Sequence, residues 1–218
     1  LAASDVDGCI SVKPSQIGLG VSDDAFREHL ARIVEAATDL GVFVWIDMED
    51  HETTDVTLDA FERHATETDG NVGVSIQANL KRTSEDLERL AGLPGKVRLV
   101  KGAYDEPAEI AYKAKARVDE AYRELLAYMF EHFEDGVAVG SHDPQMIRYA
   151  RKRHREHGTP YEVQMLMGVR EDAQFRLAEE VPVYQYVPYG SKCLSYFYRR
   201  VRERRRNALF ALRAIADR

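Results

Sequence analysis

The chain predicts an α/β fold of the TIM type, a (β/α)8 barrel lacking its first strand, and three observations carry that expectation. Seven short β-rich runs alternate with longer segments of helical period. Such alternation requires crossover connections, and therefore a mainly parallel sheet covered by helices. A polar or charged residue stands at the end of each run: Lys13, Asp47, Gln77, Lys101, His142, Gln164 and Tyr186. In a barrel, the C-terminal mouths of the strands converge on one site. No run is followed by GxGxxG or a Walker-type glycine loop, so the open nucleotide-binding sheets lose support.

Taken in order, the first strand spans Cys9–Pro14. Ser22 then caps a helix whose opening Asp23 and Asp24 suit the positive end of its dipole. Phe26, Leu30, Ile33, Val34 and Ala37 share one face of it, and Gly41 stops it. Strands follow at Val42–Asp47, Asn71–Gln77 and Lys96–Lys101, separated by helices after Thr57 and Ser84. The longest amphipathic segment runs from Pro107 to Glu134, with Val118, Tyr122, Leu125, Met129 and Phe133 as its apolar stripe. The remaining strands are Gly136–Ser141, Tyr161–Leu166 and Val183–Val187, with helices from Pro144, Arg170 and Leu194. A complete barrel has eight strands in about 250 residues. Because the chain enters a strand soon after the loop-like LAASDVDG, the missing strand is expected N-terminal to Leu1, and residues 1–218 read as strands two to eight and a C-terminal helix of one domain.

Composition narrows the function. With 218 residues and 44% hydrophobic content, the chain can bury one core. No stretch approaches eighteen apolar residues and the start lacks a secretory pattern, so a soluble, cytoplasmic protein is expected. Cys9 and Cys193 stand alone and far apart, which argues for free thiols rather than a disulfide or zinc framework. A net charge of -7 excludes a general polyanion binder, and with it nucleic acid, although Arg199–Arg206 around Glu203 is locally basic.

Two segments carry candidate chemistry. In VRLVKGAY, Val97–Tyr104, a strand ends on a glycine that permits close backbone approach, with Arg98 and Lys101 offering charge to an electron-rich ring or a phosphate. The other reading is a basic barrel rim. In YVPYGSKCLSYFYRRVRE, Tyr186–Glu203, helical spacing puts Tyr196, Arg199, Arg200 and Glu203 along one broad face. One arginine can clamp a carboxylate bidentately while the next, turned by roughly 100°, faces a cofactor. A solvated basic helix is the alternative. No metal is expected, since Asp47, Glu49, Asp50, His51 and Glu52 are too nearly adjacent to face one ion from a strand. His154 and His157 read as solvated, and Met165 and Met167 as packing around Leu166. A Schiff-base aldolase using Lys13 or Lys101, or a catalytically silent binding barrel, are the rival functions.

SVKPS, IDMED, VSIQAN, RLVKGAY, SHD, VQMLMG and YVPYG followed by YFYRRVRE occur in that order between Cys9 and Glu203. Together they resemble the motifs of the proline dehydrogenase family, in its compact monofunctional type. The resemblance implies a barrel, FAD, and oxidation of L-proline to Δ1-pyrroline-5-carboxylate in proline catabolism. It places Lys13, Asp47, Tyr104, Tyr186, Tyr196, Arg199 and Arg200 around the substrate. It places Gln77, Arg98, Val100, Lys101, Gly102, Ala103, Ser141, His142, Gln164, Arg200 and Glu203 against the flavin. It also implies a quinone as electron acceptor and a peripheral contact with the inner face of the membrane. Two departures from the family stand out: the N-terminal strand and its preceding helices are missing, and with them an acidic residue that the family often places near the substrate arginine, and the stretch from Gly190 to Arg199 is shorter than in the long bifunctional members.

Overall fold

All seven expected strands form, trimmed by at most two residues at an end: β1 Ile10–Val12, β2 Val44–Ile46, β3 Val72–Gln77, β4 Lys96–Val100, β5 Val137–Gly140, β6 Tyr161–Leu166 and β7 Val183–Tyr186. The structure is a computed structural model that describes residues 1–3 and 6–190. The strands make one sheet in the order β1-β2-β3-β4-β5-β6-β7. Every neighbouring pair from β1 to β6 is parallel. Unbroken sequence order is the winding of a TIM-type barrel, whereas a doubly wound open sheet reverses its order at a switch point. The chain divides into two units, Leu1–Tyr184 and Gln185–Arg218; of the second, residues 185–190 are described, and Gln185 and Tyr186 are the last two residues of β7.

Six α-helices are described: α1 Asp23–Asp39, α2 Thr54–Glu67, α3 Thr83–Leu90, α4 Lys115–His132, α5 Pro144–His157 and α6 Glu171–Ala178. In α1, Ser22 Oγ accepts from the Ala25 amide at 3.1 Å, and Phe26, Leu30, Val34 and Ala37 are buried. Gly41, at φ 65°, ends the segment with its amide on the Thr38 carbonyl. A side chain rarely adopts that left-handed conformation. Three helix starts differ from expectation, the smallest difference being α3, which begins at Thr83 rather than after Ser84. The second helix begins at Thr54, ahead of Thr57, because Asp50 caps a short 3-10 turn, His51–Thr53, that runs directly into it.

The helix expected from Pro107 begins only at Lys115 and ends at His132. The intervening residues are held by another loop: Tyr112 N–H donates to the Asn79 carbonyl at 2.7 Å, and Lys81 N–H to the Ile110 carbonyl at 2.9 Å. These bonds satisfy backbone groups that a helix would otherwise have engaged. The buried stripe of α4 is Ala121, Tyr122, Leu125, Leu126, Met129 and Phe130, with Val118 and Phe133 only half-buried. The helix expected after Leu194 lies outside the described residues.

The sheet faces separate largely by residue type. Val44 and Ile46, Val72, Val74 and Ile76, Val97 and Leu99, Val137 and Val139, and Val163 and Met165 join the helices in one core. The core is completed by Phe26, Leu30, Leu58, Phe61, Leu87, Tyr122, Leu126, Phe130 and Met146. Because side chains alternate along a strand, the residues between them lie on the opposite face. Those residues are Trp45, Ser75, Gln77, Arg98, Glu162 and Gln164, and they are buried too. Both faces are therefore shielded, as parallel sheets require.

Two side-chain expectations need correction. Met165 packs in the core, but Met167 lies past the end of β6 and is exposed. His154 is half-buried and partnered rather than simply solvated: its Nδ1 lies 2.8 Å from the Thr159 carbonyl and its ring 5.3 Å from that of Tyr161. Among the described residues, no helix is long and apolar enough to cross a membrane.

Candidate active site

A buried polar chain crosses the non-helical face of the sheet. Arg98, the third residue of β4, donates through Nε to Ser75 Oγ at 2.8 Å on β3 and through Nη1 to Gln164 Oε1 at 2.8 Å on β6. Its Nη2 meets Asp47 Oδ1, just past β2. Asp47 also accepts from Ser11 Oγ at 2.7 Å and Lys13 Nζ at 2.9 Å, at the end of β1. At the other end, Gln164 Nε2 donates to Glu162 Oε1 at 2.6 Å, and Glu162 is paired with Lys96 at 2.5 Å. The guanidinium also stacks 4.8 Å from the centre of the Trp45 ring. Gly140 leaves room for it, since a Cβ there would come within 3.3 Å of Arg98 Cγ and 2.6 Å of Val100 Cγ1.

Asp47 is the electrostatic centre of this chain. Burial by itself would raise its pKa, but Arg98, Lys13 and the Ser11 hydroxyl outweigh that and hold the carboxyl below its ordinary range. Asp47 is thus an anion bridging two cations, one buried and one, Lys13, whose side chain is 36% exposed.

The loops after the strands form a second group. Glu49 accepts from the Ser15 amide at 2.6 Å and the Ser15 hydroxyl at 2.8 Å, and Tyr104 O–H reaches its Oε1 at 3.4 Å. Burial, then the Glu49 carboxylate, push the Tyr104 phenol up, so it stays protonated. Gln77 Nε2 donates to the Glu49 carbonyl at 2.7 Å. Gly102, at φ 101°, turns the chain so closely over Asn79 that a Cβ would lie 1.9 Å from Asn79 Oδ1. Ala103 follows it into the loop that presents Tyr104.

Lys101 and His142 point elsewhere. Lys101 Nζ is held by Asp119 of α4 and, at 2.9 Å, by Asp143, which caps α5. Burial alone would lower its pKa, but the two carboxylates raise it, so the amine is an ammonium. His142 Nε2 accepts from the Leu166 amide at 3.1 Å, and Ser141 Oγ accepts from the Asp143 amide at 3.1 Å. Val100 closes β4, in register with Gly140. Tyr186 ends β7, while Tyr196, Arg199, Arg200 and Glu203 lie outside the described residues. Cys9 is a free thiol, its pKa pushed up by burial and Glu162; Cys193 is outside the described residues.

Sequence reasoning did not single out Ser11, Trp45, Ser75 or Glu162 as parts of this site. Period two was the available signal: stepping back two residues from Asp47, Gln77 and Gln164 gives Trp45, Ser75 and Glu162 on the same face. Glu106 carries no such signal, because its partner is 55 residues away.

The proline dehydrogenase family model matches residues 2–213. The chain is 37% identical to the proline dehydrogenase of Deinococcus radiodurans, over 98% of this chain and 71% of that one. It is 36% identical to proline dehydrogenase 1 of Bacillus subtilis, over 99% of this chain and 72% of the relative. Among solved structures, proline utilization A from Bdellovibrio bacteriovorus, inactivated by N-propargylglycine, superposes with a TM-score of 0.73 at 27% identity, over 83% of this chain. The chain spans 22% of that longer protein. With the family model covering nearly its whole length and curated relatives matched over 98–99% of it, the chain belongs to the proline dehydrogenase family.

Proposed function

We propose that this protein oxidises L-proline to Δ1-pyrroline-5-carboxylate with FAD as the hydride acceptor, and that residues 1–218 act as one barrel domain. The observation that carries the reading is the Lys13–Asp47–Arg98–Gln164 chain across four strands of a sheet built by a member of this family. Bound FAD supplies the two-electron acceptance that no side chain here provides. The residues fit such a group: a buried guanidinium suits an electron-rich ring, and the turn at Gly102 brings bare backbone to the end of β4. Gln77, Arg98, Val100, Gly102, Ala103, Ser141, His142 and Gln164 would hold it, with Arg200 and Glu203. Lys101, whose ammonium is committed to Asp119 and Asp143, would contribute through its backbone.

On the substrate side, Lys13 sits half-exposed beside Asp47, able to face a carboxylate while its partner fixes its direction. Arg199 would clamp the proline carboxylate and Arg200 would be shared with the cofactor, roles that the family resemblance implies for residues outside the described ones. Tyr104, Tyr186 and Tyr196 shape an aromatic pocket that limits the orientations of the ring. Electrons then pass to a quinone, from a cytoplasmic protein that meets the inner face of the membrane peripherally.

An aldolase needs a neutral lysine amine. Lys101 is kept charged by two aspartates and Lys13 is paired with Asp47, so neither supports that alternative. A visible spectrum tests the reading. The purified protein should be yellow, and L-proline should bleach it under anaerobic conditions. Colourless protein labelled at lysine by borohydride with a carbonyl substrate would instead establish an aldolase, and colourless, unlabelled protein a silent barrel.

A further inference from the structure

Glu106 is 4% exposed, in the loop between β4 and α4, two residues beyond the 39% exposed Tyr104. A buried carboxylate must find donors for its oxygens, or it is strongly disfavoured. Both oxygens of Glu106 turn to one residue: Oε1 accepts from the His51 amide at 3.0 Å, and Oε2 lies 2.6 Å from His51 Nδ1. A carboxylate only accepts, so Nδ1 carries the proton in this contact. His51 stands two residues after Glu49 and four after Asp47, in the loop leaving β2. The loop of Tyr104 is therefore fastened across the sheet end to the loop that carries Asp47.

The bonds that fix Tyr104 differ in strength. Its own contact with Glu49, at 3.4 Å, is at the long edge of hydrogen bonding. The two Glu106 bonds are shorter and involve a charged acceptor, which makes them the stronger restraint. On the other side of Tyr104, Gly102 packs against Asn79 with no room for a side chain. Tyr104 is thus held between a packed turn and a carboxylate clasp. We propose that Glu106 is a positioning residue for substrate binding, which acts by clasping His51 and so fixing Tyr104 at the pocket. This rests on the reading of Tyr104 as a pocket residue of a proline-oxidising enzyme.

The test uses the proline-reducible flavoprotein with Glu106→Ala, Glu106→Gln, Tyr104→Ala and the corresponding double variants. Glu106→Ala is expected to raise KM for L-proline about tenfold, with kcat changed less than about threefold and flavin content intact. Glu106→Gln, which keeps one acceptor, should fall between, at about threefold. In the Tyr104→Ala background, either change should add less than about twofold, since nothing remains to be positioned. Unchanged KM in the Glu106 variants would overturn the proposal. So would the same factor with and without Tyr104, or a loss of flavin and stability that is equal in both backgrounds. If Glu106→Ala cannot be isolated folded, the Glu106→Gln pair decides by the same comparison. Wild-type protein that proline does not bleach would sink the functional reading, whereas bleachable protein with insensitive Glu106 variants would sink only this inference.

Discussion

At the scale of single residues, Asp47 shows how charge and burial are reconciled. It is buried, yet it serves Arg98, Lys13 and Ser11 at once, so the desolvation that would neutralise it is more than offset. Removing one partner of such a pair leaves the other as an uncompensated buried charge. Asp47→Asn is therefore expected to destabilise the fold by about 3–5 kcal/mol at neutral pH. Because the native pKa is depressed, this stability is fully present above the unfolded carboxylate value of about 3.9. It is lost as pH falls through the lower native value. Denaturant melts at stepped pH should show the gap between wild type and variant constant from neutrality to mildly acidic pH, then narrowing in acid. A gap independent of pH would contradict the assigned charge. Arg98 was legible as a candidate from RLVKGAY, but its tie to Asp47 was not, because the two are 51 residues apart in sequence.

At the scale of elements, local signals succeeded where they competed with nothing else. Ser22, two aspartates and an apolar face at helical spacing define α1 without help from the rest of the chain. Ser22→Ala should cost about 1 kcal/mol. It should lower Tm without changing activity, because Ser22 is exposed and its hydroxyl serves the Ala25 amide; an unchanged Tm would show that the cap bond contributes nothing. The fourth helix illustrates the opposite case. Residues 107–114 have helical composition, but pairing with the loop at Asn79–Lys81 claims their backbone groups first. Two cavities of about 280 and 430 Å³ open beside Tyr112–Arg117 and beside Tyr161–Pro182, and neither is lined by the strand-end residues. The catalytic reading accordingly rests on convergence of side chains.

For the molecule as a whole, stability should be graded across the sheet. All six residues of β3 are buried, whereas all three of β1 are only half-buried. Amide hydrogen exchange should find Val74 and Ile76 opening only with global unfolding, and Ile10 to Val12 opening earlier; equal protection would refute this gradation. The sequence by itself determined the parallel α/β winding, the seven strands and the positions of their polar ends. Periodicity and terminal chemistry are local properties, and seven ordered motifs identify a family without any contact being known. Only the tertiary structure decided which polar ends meet. Arg98, Asp47 and Gln164 joined one chain while Lys101 turned to Asp119 and Asp143, and Glu106 found His51. Those partners are separated by 18 to 66 residues and are chosen by strand register and by the need to satisfy buried charge, neither of which a local pattern encodes.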